Sequence, residues 1–301
     1  MVCYHPITAW RSQEGRGANG KWPLVFNKRD GYCDLEVKIP CGQCSGCRLD
    51  RSRQWAVRCV HEASMYTDNC FITLTYDNEH LASDSLVPRD YVLFMKRLRK
   101  MFGSGIRFFH CGEYGSINER PHHHAIIFNF DFPDKELWSI RDGFCLYRSR
   151  SLEDLWPYGF STIGDVTFES AAYVARYVLK KISGKESTEH YHGRIPEYVT
   201  MSRKPGNAYD WIRKFKNDVY PNDFVVIRGG IKCRPPRYYD NIYDRIVNTS
   251  VNSNVKLKSL HDLKFYRRLN ARLRASDSTD RRLRVREICQ INKVDKLIRN
   301  L

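Results

Sequence analysis

Three consecutive histidines, His122, His123 and His124, open the apolar run "HHHAIIFNF". Side chains alternate between faces along an extended strand. His122 and His124 then share one face, and His123 points to the other. Two imidazoles two residues apart on a strand can grip one metal ion, and His123 cannot join them without bending the backbone. A metal that acts on phosphate also takes an oxygen ligand. The preceding segment "RFFHCGEYG" supplies one in Glu113, with His110 as a weaker fourth candidate. A second His-x-His, at His190 and His192 in "EHYHG", has Ser, Glu and Gly around it and no apolar strand after it. It reads as a loop without a metal.

Two further groups of residues could carry chemistry. "AAYVARYVLKK" places Tyr173 and Tyr177 four residues apart, one helical turn, with Lys180 and Lys181 in the next turn. Tyrosines at this spacing are commonly core residues. The alternative is nucleophilic: a phenol with a pKa near ~10 attacks poorly at neutral pH unless a nearby cation favours its phenolate. The second group is "CGQCSGC", with Cys41, Cys44 and Cys47. This spacing suits zinc with one ligand missing, which Cys3 or Cys33 could supply. An iron–sulfur cluster and unliganded thiols are the alternatives.

These residues need elements to hold them. "NCFITLTYDNEH" alternates and stops at Asp77-Asn78, a strand and a turn. "VPRDYVLFMKRLRKMFG" reads as a helix with Pro88 at its start and Gly103 at its end. "GIRFFHCGEYG" and "HHHAIIFNFDF" read as two strands joined by the polar "SINERP". "FESAAYVARYVLKKISG" is a helix by composition, and "FVVIRGGIKCRPPRYY" a hairpin turning at Gly229-Gly230. Residues 1–40, "DLWPYGFSTIGDVT" and "SGKESTEHYHGRIP" read as irregular. The chain divides into a cysteine-rich segment (1–48), a main domain (49–246) and a basic helical tail (247–301). From 250 onward there are 14 Lys and Arg against 5 Asp and Glu. The expected class is α+β, a central antiparallel sheet with flanking helices and a small zinc knuckle.

Over 301 residues, 42% hydrophobic content excludes a disordered chain. A formal net charge of +16 points to an anionic partner, nucleic acid first. No apolar run approaches the ~20 residues of a membrane span. The start "MVCYHPITAW" lacks a basic-then-apolar leader. A cytosolic protein is expected, with its cysteines as thiols or metal ligands.

The strand "FITLTYD", the strand "RPHHHAIIF" and the helix "YVARYVLKK" follow one another in that order. This layout resembles that of HUH endonucleases, the rolling-circle replication initiators. With "PCGQCSGCR", "RFFHCGEYG", "YGFSTIGDVTFESAAYVARYVLKK" and "RPPRYYD", it is similar in particular to the replication initiators of microviruses of the gokushovirus branch, over about residues 1–245. The resemblance implies His122 and His124 as metal ligands and Glu113 as the acidic third. His123 occupies a slot that is apolar or aromatic in that family. It implies Tyr177, followed by Lys180, as nucleophile, Tyr173 as the second tyrosine, and Cys3 as the fourth cysteine. It implies Mg²⁺ or Mn²⁺ at the first site and Zn²⁺ at the second. The implied partner is single-stranded or melted viral origin DNA, in the cytoplasm of a bacterial host. Arg97, Arg99, Arg176 and the tail would contact its backbone. The sequence has no GxxxxGK[ST] motif, so unwinding would fall to a host helicase and the host replication machinery. Two other readings explain part of the pattern: a zinc-stapled DNA-binding protein without activity, and a nuclease using water.

Overall fold

The computed structural model describes residues 3–18, 20, 22–81, 83–115, 118–141, 143–180, 186–249, 260–273 and 275–298. Strands β1 (Ile7–Ser12), β2 (Leu24–Val25) and β3 (Gly31–Ile39) precede helix α1 (Ser45–Ala63). Then come β4 (Asn69–Tyr76), α2 (Pro88–Phe102), β5 (Arg107–Tyr114), β6 (Pro121–Phe128), β7 (Glu136–Arg141) and β8 (Phe144–Arg148). α3 (Arg150–Leu155), β9 (Gly159–Gly164), α4 (Phe168–Lys180), α5 (Glu186–Tyr191), β10 (Tyr198–Met201) and α6 (Tyr209–Val219) follow. The hairpin β11 (Val225–Val226) and β12 (Lys232–Cys233) leads to α7 (Arg237–Thr249), α8 (Leu260–Leu273) and α9 (Asp280–Ile298). The chain forms two compact units, one of residues 1–51 with 265–301 and one of residues 52–264.

The larger unit is α+β. Its seven-stranded antiparallel sheet has the order β10-β5-β6-β4-β9-β8-β7. The central strands are apolar on both faces because helices cover both. Ile72, Leu74, Ala125 and Ile127 pack against Phe94, Met95 and Leu98 of α2 and against Leu152 and Leu155 of α3. On the other face Phe109, Cys111, Ile126 and Phe128 meet Cys59 of α1 and Ala171 and Val174 of α4. The period of two in β5 and β6 therefore feeds two separate cores. A third core joins α6 and α7 through Ile212, Tyr220, Tyr239 and Tyr243.

Two segments read as irregular are ordered. "YGFSTIG" contains β9, which pairs with β4 along its whole length. The tight approach needs Gly159: at φ +144° a Cβ there would meet the Thr75 carbonyl oxygen at 2.6 Å. "ESTEHY" forms α5. In the smaller unit, residues 1–40 are not irregular either. β1 lies between β2 and β3 in an antiparallel sheet. Most of β3 is exposed on both faces, so no alternation marks it.

Candidate metal centres

β5 and β6 pair so that Glu113 stands directly opposite His122 and Cys111 opposite His124. β4 flanks the other side, with Thr73 opposite His124. Glu113, His122 and His124 share the face on which α4 packs, and their donor atoms lie within 4.8 Å of one another. Glu113 Oε1 is 2.8 Å from His122 Nε2 and 2.9 Å from His124 Nε2. His122 Nδ1 lies 2.9 Å from the Arg120 carbonyl. A carbonyl only accepts, so Nδ1 carries the proton and Nε2 turns a lone pair toward the carboxylate. Lone pair against carboxylate is tolerable only with a cation between them. The donor set, two imidazoles and a carboxylate, therefore fits a divalent metal ion. Thr73 Oγ1, 3.0 Å from His124 Nδ1, orients the second ring from behind. Gly115 leaves the room His122 needs, since a Cβ there would come within 3.2 Å of its ring.

Burial alone would raise the Glu113 carboxyl. The hydrogen bonds and charges of His122 and His124 outweigh it and hold the pKa at about 2, so Glu113 is an anion. Its side chain is 2% exposed and that of His124 7%, against 16% for His122. The His122 side of the site is therefore the one open to solvent.

His123 and His110 are buried on the opposite face. His123 lies 3.1 Å from His110 through Nδ1 and 3.1 Å from the Tyr76 hydroxyl through Nε2. Tyr76 donates to Asp90, and His110 reaches Thr200. The His110 ring stacks on Tyr91 with centroids 3.4 Å apart. Burial, reinforced by neighbouring imidazoles, holds His123 down at about 3 and His110 well below the usual range. His110 is therefore excluded as a ligand beside Glu113. His190 and His192 join no metal-binding group among the described residues.

Tyr173, Tyr177 and Lys180 fall in α4, which packs on β10, β5 and β6. Their side chains, like that of Arg176, lie outside the described residues. Arg97 donates to the Leu155 carbonyl, a tie within the core. Arg99 is exposed beyond its bonds to the Ile106 carbonyl. Sequence reasoning missed Thr73 and Arg120. Cross-strand register with His124 was the signal for the first, and the second acts only through its carbonyl.

The family model for the replication-associated protein ORF2 matches residues 69–182, from β4 to just beyond α4. Replication-associated protein VP4 of Bdellovibrio phage phiMH2K is 36% identical over 81% of this chain and 78% of its own length. The chain belongs to the replication-associated proteins of microviruses. Replication-associated protein ORF2 of Spiroplasma virus 4 is 33% identical over 81% of each chain. Replication-associated protein ORF4 of Chlamydia phage 1 is 30% identical over 81% of this chain and 62% of its own. No solved structure matches.

This replication-associated protein has a second centre in its smaller unit. Cys3, Cys41, Cys44 and Cys47 bring four sulfurs within 4.8 Å of one another. Cys3 Sγ is 3.6 Å from Cys41 Sγ and 3.9 Å from Cys44 Sγ. These gaps far exceed the ~2.05 Å of a disulfide. They match the edge of about 3.8 Å that a tetrahedron with metal–sulfur bonds of ~2.3 Å requires. Backbone N–H groups of Tyr4, Cys41 and Cys44 point at the sulfurs of Cys44, Cys3 and Cys41. Burial works against a Cys44 thiolate, but the N–H groups of Cys47 and Tyr4 and the neighbouring thiols bring its pKa down to about 7. The set fits a metal ion. Cys33 is exposed on β3 and outside the group, so the fourth position is Cys3. The described residues include no helix long and apolar enough to cross a membrane.

Proposed function

We propose that this protein initiates rolling-circle replication by nicking and rejoining viral origin DNA through a 5′-phosphotyrosine, as an HUH endonuclease. The observation that carries the reading is the convergence of Glu113, His122 and His124 on the sheet face covered by α4, the helix that contains Tyr173 and Tyr177. Those three residues would hold Mg²⁺ or Mn²⁺, which when bound supplies Lewis-acid polarisation of the scissile phosphate. Glu113 contributes the negative charge and the hard oxygen donor. The Arg120 carbonyl and Thr73 keep the two imidazoles aimed.

Tyr177 attacks phosphorus in line. The tyrosine O–P bond forms, the P–O3′ bond breaks, and the departing 3′-oxygen takes up the proton given up by the phenol. Lys180 favours the phenolate. The new 3′-hydroxyl primes synthesis, and the phosphotyrosine conserves the phosphodiester energy, so rejoining needs no ATP. After one round Tyr173 cuts the regenerated origin. The second 3′-hydroxyl then displaces Tyr177 and closes a single-stranded circle. The DNA is single-stranded or melted at the nick, with unwinding by a host helicase. Cys3, Cys41, Cys44 and Cys47 would hold a structural Zn²⁺ that staples the smaller unit.

The test is a labelled single-stranded origin oligonucleotide incubated with protein and Mn²⁺ and run on a denaturing gel. Wild type, Tyr173→Phe, Tyr177→Phe and the double variant are compared. A covalent band lost only in the double variant is the expected result. A band lost in Tyr177→Phe alone would make Tyr173 structural. Cleavage without an adduct in any lane would make water the nucleophile and overturn the reading.

A further inference from the structure

A cleft of about 570 Å³ opens where β5 begins, beside the end of β10. It lies within the about 300–1,000 Å³ of small-ligand sites. Arg99, Arg107, Arg203 and Lys204 line it, with no Asp or Glu among the lining residues. The four cations are not equivalent. Arg107 is ion-paired with the buried Glu62, so its charge is balanced locally. Arg99 spends Nε and Nη2 on the Ile106 carbonyl. Arg203 and Lys204 are exposed and have no ion pair among the described residues. Between these cations, Phe108 and Met201 offer apolar surface, and Ser104 and Ser202 add hydroxyls. Cationic groups beside an aromatic surface suit a nucleotide of a single strand, with phosphate on the cations and base on the ring. The metal centre is on the same strand. Arg107 and Glu113 are six residues apart, about 20 Å at ~3.4 Å per residue.

We propose that this cleft is a second contact for single-stranded DNA. Arg203 and Lys204 take the phosphate, and Phe108 with Met201 takes the base of a nucleotide remote from the nick. The proposal rests on the DNA reading above. It gives the protein a grip on its strand that is independent of the divalent ion.

The test uses the full chain without added divalent ion, a labelled single-stranded oligonucleotide and fluorescence anisotropy across a salt series. Each lost phosphate contact lowers the slope of log affinity against log salt by about 0.7 for a single strand. Arg203→Ala/Lys204→Ala should therefore flatten it by about 1.4 and weaken binding roughly tenfold at low salt. Both positions are exposed, so the melting temperature should hold. An abasic strand of equal length should bind wild type more weakly than the normal strand, and equal binding would remove the base contact. Equal slopes and affinities for variant and wild type would overturn the cleft alone. Wild type without affinity for any strand would sink the DNA reading and the cleft together. If inorganic phosphate at matched ionic strength raises the melting temperature of wild type but not of the variant, the cleft is a free-anion site and the strand contact is wrong.

Discussion

At the level of single residues, two imidazoles are held by partners that never meet the metal. Thr73 touches His124 only at Nδ1. Thr73→Val keeps the shape and removes that bond, so divalent-metal affinity should fall about 10–100-fold. Titration calorimetry with Mn²⁺ checks this, and an unchanged affinity would mean that packing alone orients the ring. The alternation of a strand made the partition of the three histidines legible. What His123 does instead was hidden, because Tyr76 and His110 come from other strands. The family's apolar slot is here a buried polar bridge. His123→Leu leaves a buried His110 nitrogen without its partner, which should lower stability by about 1–3 kcal/mol. Urea denaturation measures it. A variant as stable as wild type would show that the bridge carries no net energy.

The elements that could be read were those whose period or punctuation is visible. β4, β5 and β6 alternate into two cores, and α2 is bracketed by Pro88 and Gly103. β9 escaped because Gly, Pro and Trp crowd its start and mimic a loop, whereas its glycine is there to admit the neighbouring backbone. Gly159→Ala should therefore unfold the protein at a markedly lower temperature in a thermal melt; an unchanged midpoint would mean that β4 and β9 can part freely. β1 to β3 escaped for another reason. A small sheet exposed on both sides has no apolar stripe, and its order comes from elsewhere. Tyr4, Cys44 and Leu283 are the only buried apolar side chains grouped around the cysteines among the described residues. A core this small needs a staple. One zinc per chain is expected by elemental analysis. Cys44→Ser should abolish it and, by hydrogen exchange, expose the amides of residues 3–51 while those of β4 to β6 stay protected. Full protection of both regions in the zinc-free variant would remove the staple.

For the whole molecule, charge and buried histidine act in different ways. The net +16 concerns what the protein binds. Stability against acid depends on imidazoles that folding keeps neutral. His61 is the one well separated from both metal centres in the hydrogen-bond network. It bonds the Tyr239 hydroxyl at 2.8 Å and stacks on Trp211 with centroids 3.5 Å apart. Burial lowers its pKa to about 3, against ~6.5 in an unfolded chain. Between those values the unfolded state binds a proton that the folded state refuses. Stability contributed by a neutral His61 is thus complete above pH ~6.5 and is lost as pH falls toward 3. From pH 7 to pH 5 the loss from this residue is about 2 kcal/mol. Metal ligands also protonate over this range and add their own loss to any melt. His61→Gln leaves those ligands in place, so the difference between variant and wild type isolates the imidazole. The variant should start less stable at pH 7 and lose about 2 kcal/mol less than wild type on going to pH 5. Parallel losses in the two proteins would mean that His61 takes up its proton in the folded state and that the α1–α6–α7 core opens to water.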